Sequence, residues 1–405
     1  MNGRMVTISD LGSIVTGKTP STKNASFFDG DYQFVTPSDL DWRTYYCRTT
    51  ERTVTDDARE FHLNQFIPSN AVMVTCIGNT IGKCGISSSD CLTNQQINSI
   101  IPNEGIDPKF VYYLLVHNTE SIRGVGLGGG SATPILNKTS FSRIKLRVPP
   151  QHQWGSVANI LSAYDDLIEN NRRRIALLEQ AARLLYREWF VHLRFPGHEH
   201  TTIINGIPEG WRRANFGDLC KLRAGNTFKP KYQGQLQGDL PFIKVRDLSR
   251  EGNTITITGA DNWVTLDECE EFRGKPFSKG TSVFAKIGEG LRQNRIRFIN
   301  RDTLIDNNMM GAIPDQHVIV SEFLYFLLQE YDLANYAGGA AVPFLSSKVL
   351  EGLSVLVPSM NLLLLFQDAV APMFQKIVIL ELQSTAAARA RDLLLPKLMN
   401  GEVMV

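Results

Sequence analysis

The clearest pattern in the chain is a ladder of apolar residues at alternating steps of four and three. It reads Val157, Leu161, Tyr164, Ile168, Asn171, Ile175, Leu178, Ala182, Leu185, Trp189, apolar or aromatic at every rung except Asn171. This spacing draws one apolar seam along an α-helix, as in a coiled coil. Between the rungs stand Asp165, Asp166, Glu169, Arg172, Arg173, Arg174, Glu179, Arg183, Arg187 and Glu188, which predicts a solvated opposite face. No Pro or Gly falls between Ser156 and Pro196, so nothing breaks the helix. At ~1.5 Å per residue the ladder is roughly 48 Å long, the length of a spacer rather than of a core helix. A buried Asn171 would fix register against a partner at some cost in stability.

The chain contains a candidate partner. At a shift of 209 the ladder reads Phe366, Val370, Met373, Ile377, Leu380, Ser384, Ala387, Arg391, Leu394, Leu398. Ser384 and Arg391 interrupt this second seam, and Pro372 is expected to kink or start the helix. Val148-Pro149 recurs as Val357-Pro358 at the same shift, so the lead-in repeats with the helix.

The residues before each helix alternate short apolar runs with Gly, Asn, Ser and Pro, as in a mixed α/β domain. Strands are expected at Tyr32–Val35, Ala71–Cys76 and Ile97–Ile101, and a helix over Phe110–His117 behind the Asp107-Pro108 start signal. The two domains are one unit written twice. Asp10-Leu11 matches Asp218-Leu219, Gly17-x-Thr19 matches Gly225-x-Thr227, and Phe34-Val35-x-x-x-Asp39-Leu40 matches Phe242-Ile243-x-x-x-Asp247-Leu248, all at a shift of 208. Ile77-Gly78 matches Ile287-Gly288 at 210, and Tyr112-x-Leu114-Leu115 matches Tyr325-x-Leu327-Leu328 at 213. Such drift is what loop insertions produce in a tandem duplication. The predicted fold class is therefore α/β plus long α-helices, with domains at 1–148 and 195–357 and helices at 149–194 and 358–405. Antiparallel packing of the two helices would make the molecule pseudo-two-fold symmetric.

Composition adds little that is specific. Charged residues at 20% and hydrophobic ones at 43% suit a soluble globular protein. A net charge of +1 gives no global attraction to nucleic acid, so any basic site must be local. The first ten residues lack a signal-peptide core, and the apolar run Leu362–Phe366 is too short to cross a bilayer. Cys47, Cys76, Cys84, Cys91, Cys220 and Cys269 form no C-x-x-C pair and read as reduced thiols of a cytoplasmic protein that contacts no membrane.

Several motifs are weaker than they look. Gly12 to Thr19 fits the phosphate-binding pattern G-x-x-x-x-G-K-[ST], but that loop must open a helix. Here Pro20-Ser21-Thr22-Lys23-Asn24 follows, and the repeat has Cys220 and Asn226 in place of Gly12 and Lys18. Gly124-x-Gly126-x-x-Gly129 follows a helix rather than a strand and reads as a turn. His198-Glu199-His200 lies in a Gly/Pro-rich connector with no third ligand in view, so no metal is expected. The methyltransferase motifs N-P-P-[FY] and F-x-G-x-G and the nucleophile elbow G-x-S-x-G do not occur.

The informative stretch is Arg273–Arg301, with Lys275, Lys279, Lys286, Arg292, Arg295 and Arg297 against the single Glu289. Its centre puts Arg292, Gln293, Asn294 and Arg295 together in an expected loop. Arg pairs bidentately with guanine, Asn and Gln with adenine. The matching stretch of the first domain, Gly78 to Lys83 followed by Asn94-Gln95-Gln96, offers the same chemistry with less charge. Candidate DNA-binding residues are thus Lys18, Thr19, Lys23, Asn79, Thr80, Lys83, Asn94 and Gln95 in the first domain. Those of the second are Lys244, Arg246, Lys286, Arg292, Gln293, Asn294 and Arg295. Residues common to both copies, such as Asp39/Asp247 and Gly17/Gly225, are expected to be scaffold.

Taken together, Gly17-Lys-Thr19-Pro20, Val35-Thr-Pro-Ser38-Asp39-Leu40, Ile77-Gly-Asn-Thr80-Ile-Gly82-Lys83, Thr93-Asn94-Gln95, Leu146-Arg-Val148-Pro149-Pro150, Ile207-Pro208-Glu-Gly210-Trp211 and Leu393-Leu-Leu-Pro396-Lys397-Leu398-x-x-Gly401 resemble the specificity subunits of Type I restriction–modification systems. The resemblance covers nearly the whole chain. Its departures are Gln151-His152-Gln153 after the Pro-rich lead-in and Glu289-Gly290 in place of Asn79-Thr80. It implies two target-recognition domains, each reading half of a split sequence in double-stranded DNA. It implies helices that set the spacing and bind two modification subunits, which carry S-adenosylmethionine. It also implies a restriction/translocase subunit using ATP and Mg, while this chain is non-catalytic and holds no cofactor. Two other readings remain open: a two-headed protein-binding scaffold, favoured by the near-neutral charge, and a nucleotide hydrolase using Gly12 to Thr19.

Overall fold

The computed structural model describes residues 4–42, 45–128, 134–250, 252–339, 342–403 and 405. The chain divides into two units, residues 1–167 with 387–405, and residues 168–386. Both units have the same internal plan.

In the first unit a five-stranded sheet runs in the order Gly12–Thr16, Ile97–Pro102, Val72–Thr75, Cys84–Ser87, Tyr46–Cys47. Ser99 pairs with Val15 on one side and Met73 on the other, both antiparallel. Val72–Thr75 and Cys84–Ser87 are buried at every position, as strands covered on both faces must be. A second sheet has Phe28–Val35 at its centre, parallel to Cys91–Thr93 with Phe34 opposite Leu92. Helix Pro108–His117, capped by the Asp107 side chain, buries Phe110 through Leu115 in the core. Arg4–Thr7 pairs with Lys145–Val148 and so ties the chain start to the lead-in of the first long helix.

The second unit repeats this. Cys220–Ala224, Met309–Pro314, Ser282–Ala285 and Arg297–Phe298 form one sheet, with Gly311 between Arg223 and Val283. Leu240–Ile243 runs parallel to Leu304–Ile305, as its counterpart does in the first unit. Helix Ser321–Glu330 buries Phe323 through Leu328, and Arg212–Asn215 pairs with Ser354–Val357. The connector forms a small hairpin, Ile203–Ile204 with Ile207–Pro208. Asn205 and Gly206 supply the two positive φ angles of its turn, 50° and 76°.

The long helices span Trp154–Tyr186 and Met360–Met399, the first entered through a 3₁₀ turn at Gln151–Gln153 and left through a π turn at Arg187–Val191. Every rung of the first ladder is buried or half-buried. In the second unit Asn171 faces Leu380 and Tyr186 packs on Phe366, so the helices run antiparallel there. In the first unit Val157 and Leu161 share a core with Leu395 and Leu398, and Asp165 meets Arg391, again antiparallel.

Five expectations are corrected. Asp165 is buried rather than on the solvated face, because Arg391 neutralises it and Tyr113 donates to it at 2.5 Å. Glu169, Glu179 and Glu188 are likewise half-buried. Pro372 does not start the second helix, which begins at Met360 and continues through it. Gly124 and Gly126 lie in helix Thr119–Leu127 rather than in a turn, where Gly126 makes room for Ile81; Gly129 lies outside the described residues. Gly288–Arg292 is a short helix, not a loop. The second long helix is also apolar enough, by length and composition alone, to cross a membrane, although its longest uninterrupted run is short. Its apolar side chains Leu363, Phe366, Val370, Phe374 and Ile377 lie in the core of the second unit.

Candidate nucleic-acid interface

In each unit four separate chain segments are knitted into one surface by backbone hydrogen bonds, and the two sets of bonds correspond. The Lys18 amide donates to the Thr93 carbonyl at 2.8 Å, and Asn226 to Ile305 at 2.7 Å. Asn94 donates to Val35 at 3.0 Å, and Asp306 to Ile243 at 3.0 Å. Cys76 donates to Gln96 at 2.7 Å, and Lys286 to Asn308 at 2.9 Å. Gly78 donates to Pro134 at 2.9 Å, and Gly288 to Pro343 at 2.9 Å, with φ of 61° and 67° at the two glycines.

Three kinds of residue hold these segments. Asp39 accepts from the Thr36 amide at 2.7 Å, and Asp247 from the Lys244 amide at 2.8 Å. Burial pushes the Asp247 carboxyl up against these bonds. The Asn94 and Asp306 side chains each accept, at 3.0 Å, from the amide two residues on. Gly17 and Gly225 are pressed against backbone carbonyls: a Cβ would sit 2.2 Å from the Thr93 oxygen and 2.0 Å from the Asp306 oxygen. These shared residues do the same structural work in both copies, because one fold needs one set of turn-holding groups.

The phosphate-loop pattern dissolves in this arrangement. Gly12–Thr16 is a strand, and no helix opens at Gly17; the next helical turn is Ala25–Phe27. Instead the Thr19 hydroxyl donates to the Gln95 side chain at 2.6 Å, which brings together two candidate residues 76 positions apart.

The remaining candidates divide by whether the fold occupies them. Lys18, Lys23, Asn79 and Gln95 are exposed in the first unit. Thr80 donates to the Ile77 carbonyl, and Lys83 to the Leu40 carbonyl at 2.9 Å. Arg246, Arg292 and Gln293 are exposed in the second unit, Arg292 within 3.6 Å of Glu289, and Arg295 is half-buried. The Asn294 amide donates to the Tyr331 carbonyl at 2.8 Å and accepts from the Leu333 amide at 3.4 Å, so both its ends serve the fold. Arg297 turns inward to the Asn253 carbonyl at 2.7 Å. Gly290 lets the Gly288–Arg292 helix lie against Val245.

The second unit also holds an open cleft of about 410 Å³ whose wall the sequence reading found only in part. Lys244 lies in it, with Phe228, Gln233 and Asn307 as additional lining. No local pattern marks those three; the signal was the repeat itself, which sets Asn307 opposite Gln95 and Phe228 opposite Pro20.

A model of the Type I restriction modification DNA specificity domain matches residues 3–180. The chain is 28% identical over 410 residues to the Type I restriction enzyme MjaIX specificity subunit of Methanocaldococcus jannaschii, covering 98% of this chain and 93% of that one. It is 35% identical over 372 residues to the HindI specificity subunit of Haemophilus influenzae, covering 75% and 79%. Its fold is similar to that of the S subunit from M. genitalium, with a TM-score of 0.66 at 17% identity, covering 98% of this chain and 96% of that one.

Proposed function

The chain belongs to the family of Type I restriction–modification DNA specificity subunits, and from that premise we propose that each α/β domain reads one half of a divided target in double-stranded DNA while the long helices set the gap. As a specificity subunit the chain is itself non-catalytic. The observation that carries the proposal is the pairing of four backbone bonds in one unit with four in the other, under different exposed side chains. Two heads that read different sequences need a common scaffold and unlike surfaces.

Recognition domains at 1–148 and 195–357 would present Lys18, Thr19, Lys23, Asn79 and Gln95 in one half-site, and Lys244, Arg246, Arg292, Gln293 and Arg295 in the other. Thr80, Lys83, Asn94 and Asn294 would support these from beneath, and Lys286 would stand beside them over the Phe344 ring at 5.8 Å. Two modification subunits would dock on the helices. Leu177 and Leu184, two turns apart on the first helix, are 59% and 52% exposed and would be covered by such a partner. S-adenosylmethionine would be bound by those subunits, ATP and Mg by a restriction subunit, and the complex would work in the cytoplasm, where the DNA is.

Salt titration of DNA binding tests the reading. Neutralised phosphates release counterions, so the logarithm of affinity should fall steeply with the logarithm of salt. A protein-binding scaffold would bind no DNA at any salt.

A further inference from the structure

The basic stretch around Arg292 is the obvious reader in the second unit, but the cleft beneath Lys244 has the better-built chemistry. Its floor is the turn after Ile305, where Asp306 is buried and one carboxylate oxygen accepts from the Asn308 amide at 3.0 Å. Its apolar wall is the half-buried Phe228 ring, itself packed edge-on against Phe242 with ring centres 5.1 Å apart. The Lys244 ammonium is held 4.1 Å from the centre of the Phe228 ring and donates to the Gln233 side-chain oxygen at 3.1 Å. Asn307 is exposed at the rim. A fixed ammonium, an exposed amide and an aromatic wall around one opening suit the flat edge of a nucleobase.

The first unit shows what this place looks like with other residues. At the repeat shifts of 208 and 212, Phe228 stands where Pro20 is, Lys244 where Thr36 is, and Asn307 where Gln95 is. There the Thr19–Gln95 hydrogen bond spans the same position, and the Thr36 hydroxyl is turned to Asp39 at 2.7 Å. The backbone beneath is bonded in the same way in both copies, yet no side chain at these three positions is shared.

We infer that this cleft is a specificity-determining subsite, in which Lys244 and Asn307 read the edge of a purine in the second unit's half-site against the wall formed by Phe228. Lys244 presents donors suited to the O6 and N7 acceptors of guanine, and Asn307 the donor–acceptor pair suited to N6 and N7 of adenine. The inference rests on the reading of the chain as a DNA specificity subunit.

The test is methylation of a randomised duplex library by the full chain in complex with its modification subunits. Variants are Asn307→Ala and Lys244→Gln, each checked by thermal unfolding. Asn307 is exposed and outside the backbone bonding, so its variant carries the test even if replacing Lys244 unfolds the turn. We expect preference at one purine position of one half-site to fall at least tenfold, with the other half-site and the gap unchanged. A folded variant whose motif is unaltered would overturn the inference. So would uniform weakening on every sequence, which marks a phosphate contact. Both results leave the DNA-specificity reading standing. A wild-type complex that methylates with no motif at all would overturn that reading itself.

Discussion

Arg391 is buried against Asp165, 226 positions away, and the two form the polar lock of the helix pair in the first unit. Asp392 holds the guanidinium from its other side at 2.7 Å, and the Tyr113 hydroxyl completes the Asp165 carboxylate at 2.5 Å. Burial pushes the Asp165 carboxyl up against the pull of the guanidinium, and the guanidinium stays charged. The arrangement sets register rather than adding much net stability, since two desolvated charges gain little over apolar neighbours.

Removing one partner should therefore cost more than removing both. Arg391→Ala alone should destabilise by ~3–5 kcal/mol, because it leaves a buried carboxylate uncompensated. The double replacement Asp165→Leu with Arg391→Leu should recover most of that. Urea unfolding of Asp165→Leu, Arg391→Leu and the double variant measures the coupling, and additive losses would contradict it.

Glu381 gives the second unit a pH dependence of its own. Its carboxylate accepts from the Thr254 amide at 3.0 Å, from the Thr254 hydroxyl and from the Thr256 hydroxyl at 3.1 Å. Burial, helped by Glu179, pushes it up to about 7 from its usual 4.5, while Arg297 lies near enough to feel its charge. Between these two values the folded chain keeps a proton that the unfolded chain has lost, so this group's contribution to stability falls as pH rises. Glu381→Gln should remove that slope and gain up to roughly 3 kcal/mol relative to wild type at pH 8. Thermal unfolding from pH 4.5 to 8 reads the difference; parallel curves would refute it.

Gly17 and Gly225 should be equally intolerant of a side chain. A Cβ at either meets backbone atoms at 2.0–2.4 Å, which cannot rotate away. Gly17→Ala and Gly225→Ala should each cost ~1–3 kcal/mol through overpacking. Lys18→Ala, on an exposed side chain beside Gly17, should leave stability unchanged and abolish no ATP hydrolysis, because the loop has no helix end to cradle a phosphate. Saturable ATP binding lost in that variant would reverse the assignment.

In the basic stretch, neighbours should separate by role. Arg295→Ala should cost ~1–3 kcal/mol of binding and relax selectivity at one position if Arg295 reads a guanine. Arg292→Ala should weaken binding on all sequences if Arg292 touches phosphate. Asn294→Ala should lower the melting temperature, since its amide closes on Tyr331 and Leu333. No effect of either arginine on DNA would remove this stretch from the interface.

Much of this was legible in the chain alone, for physical reasons. A seam with a four–three period can be read because helix geometry is local, and every rung from Val157 to Trp189 is at least half-buried. The duplication was legible because Gly17, Asp39 and Gly78 hold backbone that no other arrangement of the fold spares. Asp165 and Arg391 looked like a solvated charge and a flaw in the seam, since a long-range pair leaves no local trace. Asn294 looked like a reader for the same reason: composition shows polarity, not whether it meets a carbonyl inside the fold. Phe228, Gln233 and Asn307 were silent because their cleft is assembled from three distant turns.

In the proposed function the helix pair acts as a ruler, and mapping methylation by the reconstituted complex reads its length as the gap between half-sites. Four residues inserted between Arg172 and Arg173, and four at the facing place beside Leu380, lengthen the pair by ~6 Å. Their apolar phase shifts a little, so some loss of stability is expected. DNA rises ~3.4 Å per base pair, so the gap between half-sites should grow by one or two base pairs while both half-site sequences stay as they were. An unchanged gap, or an altered half-site with the gap intact, would mean that the helices do not set the spacing.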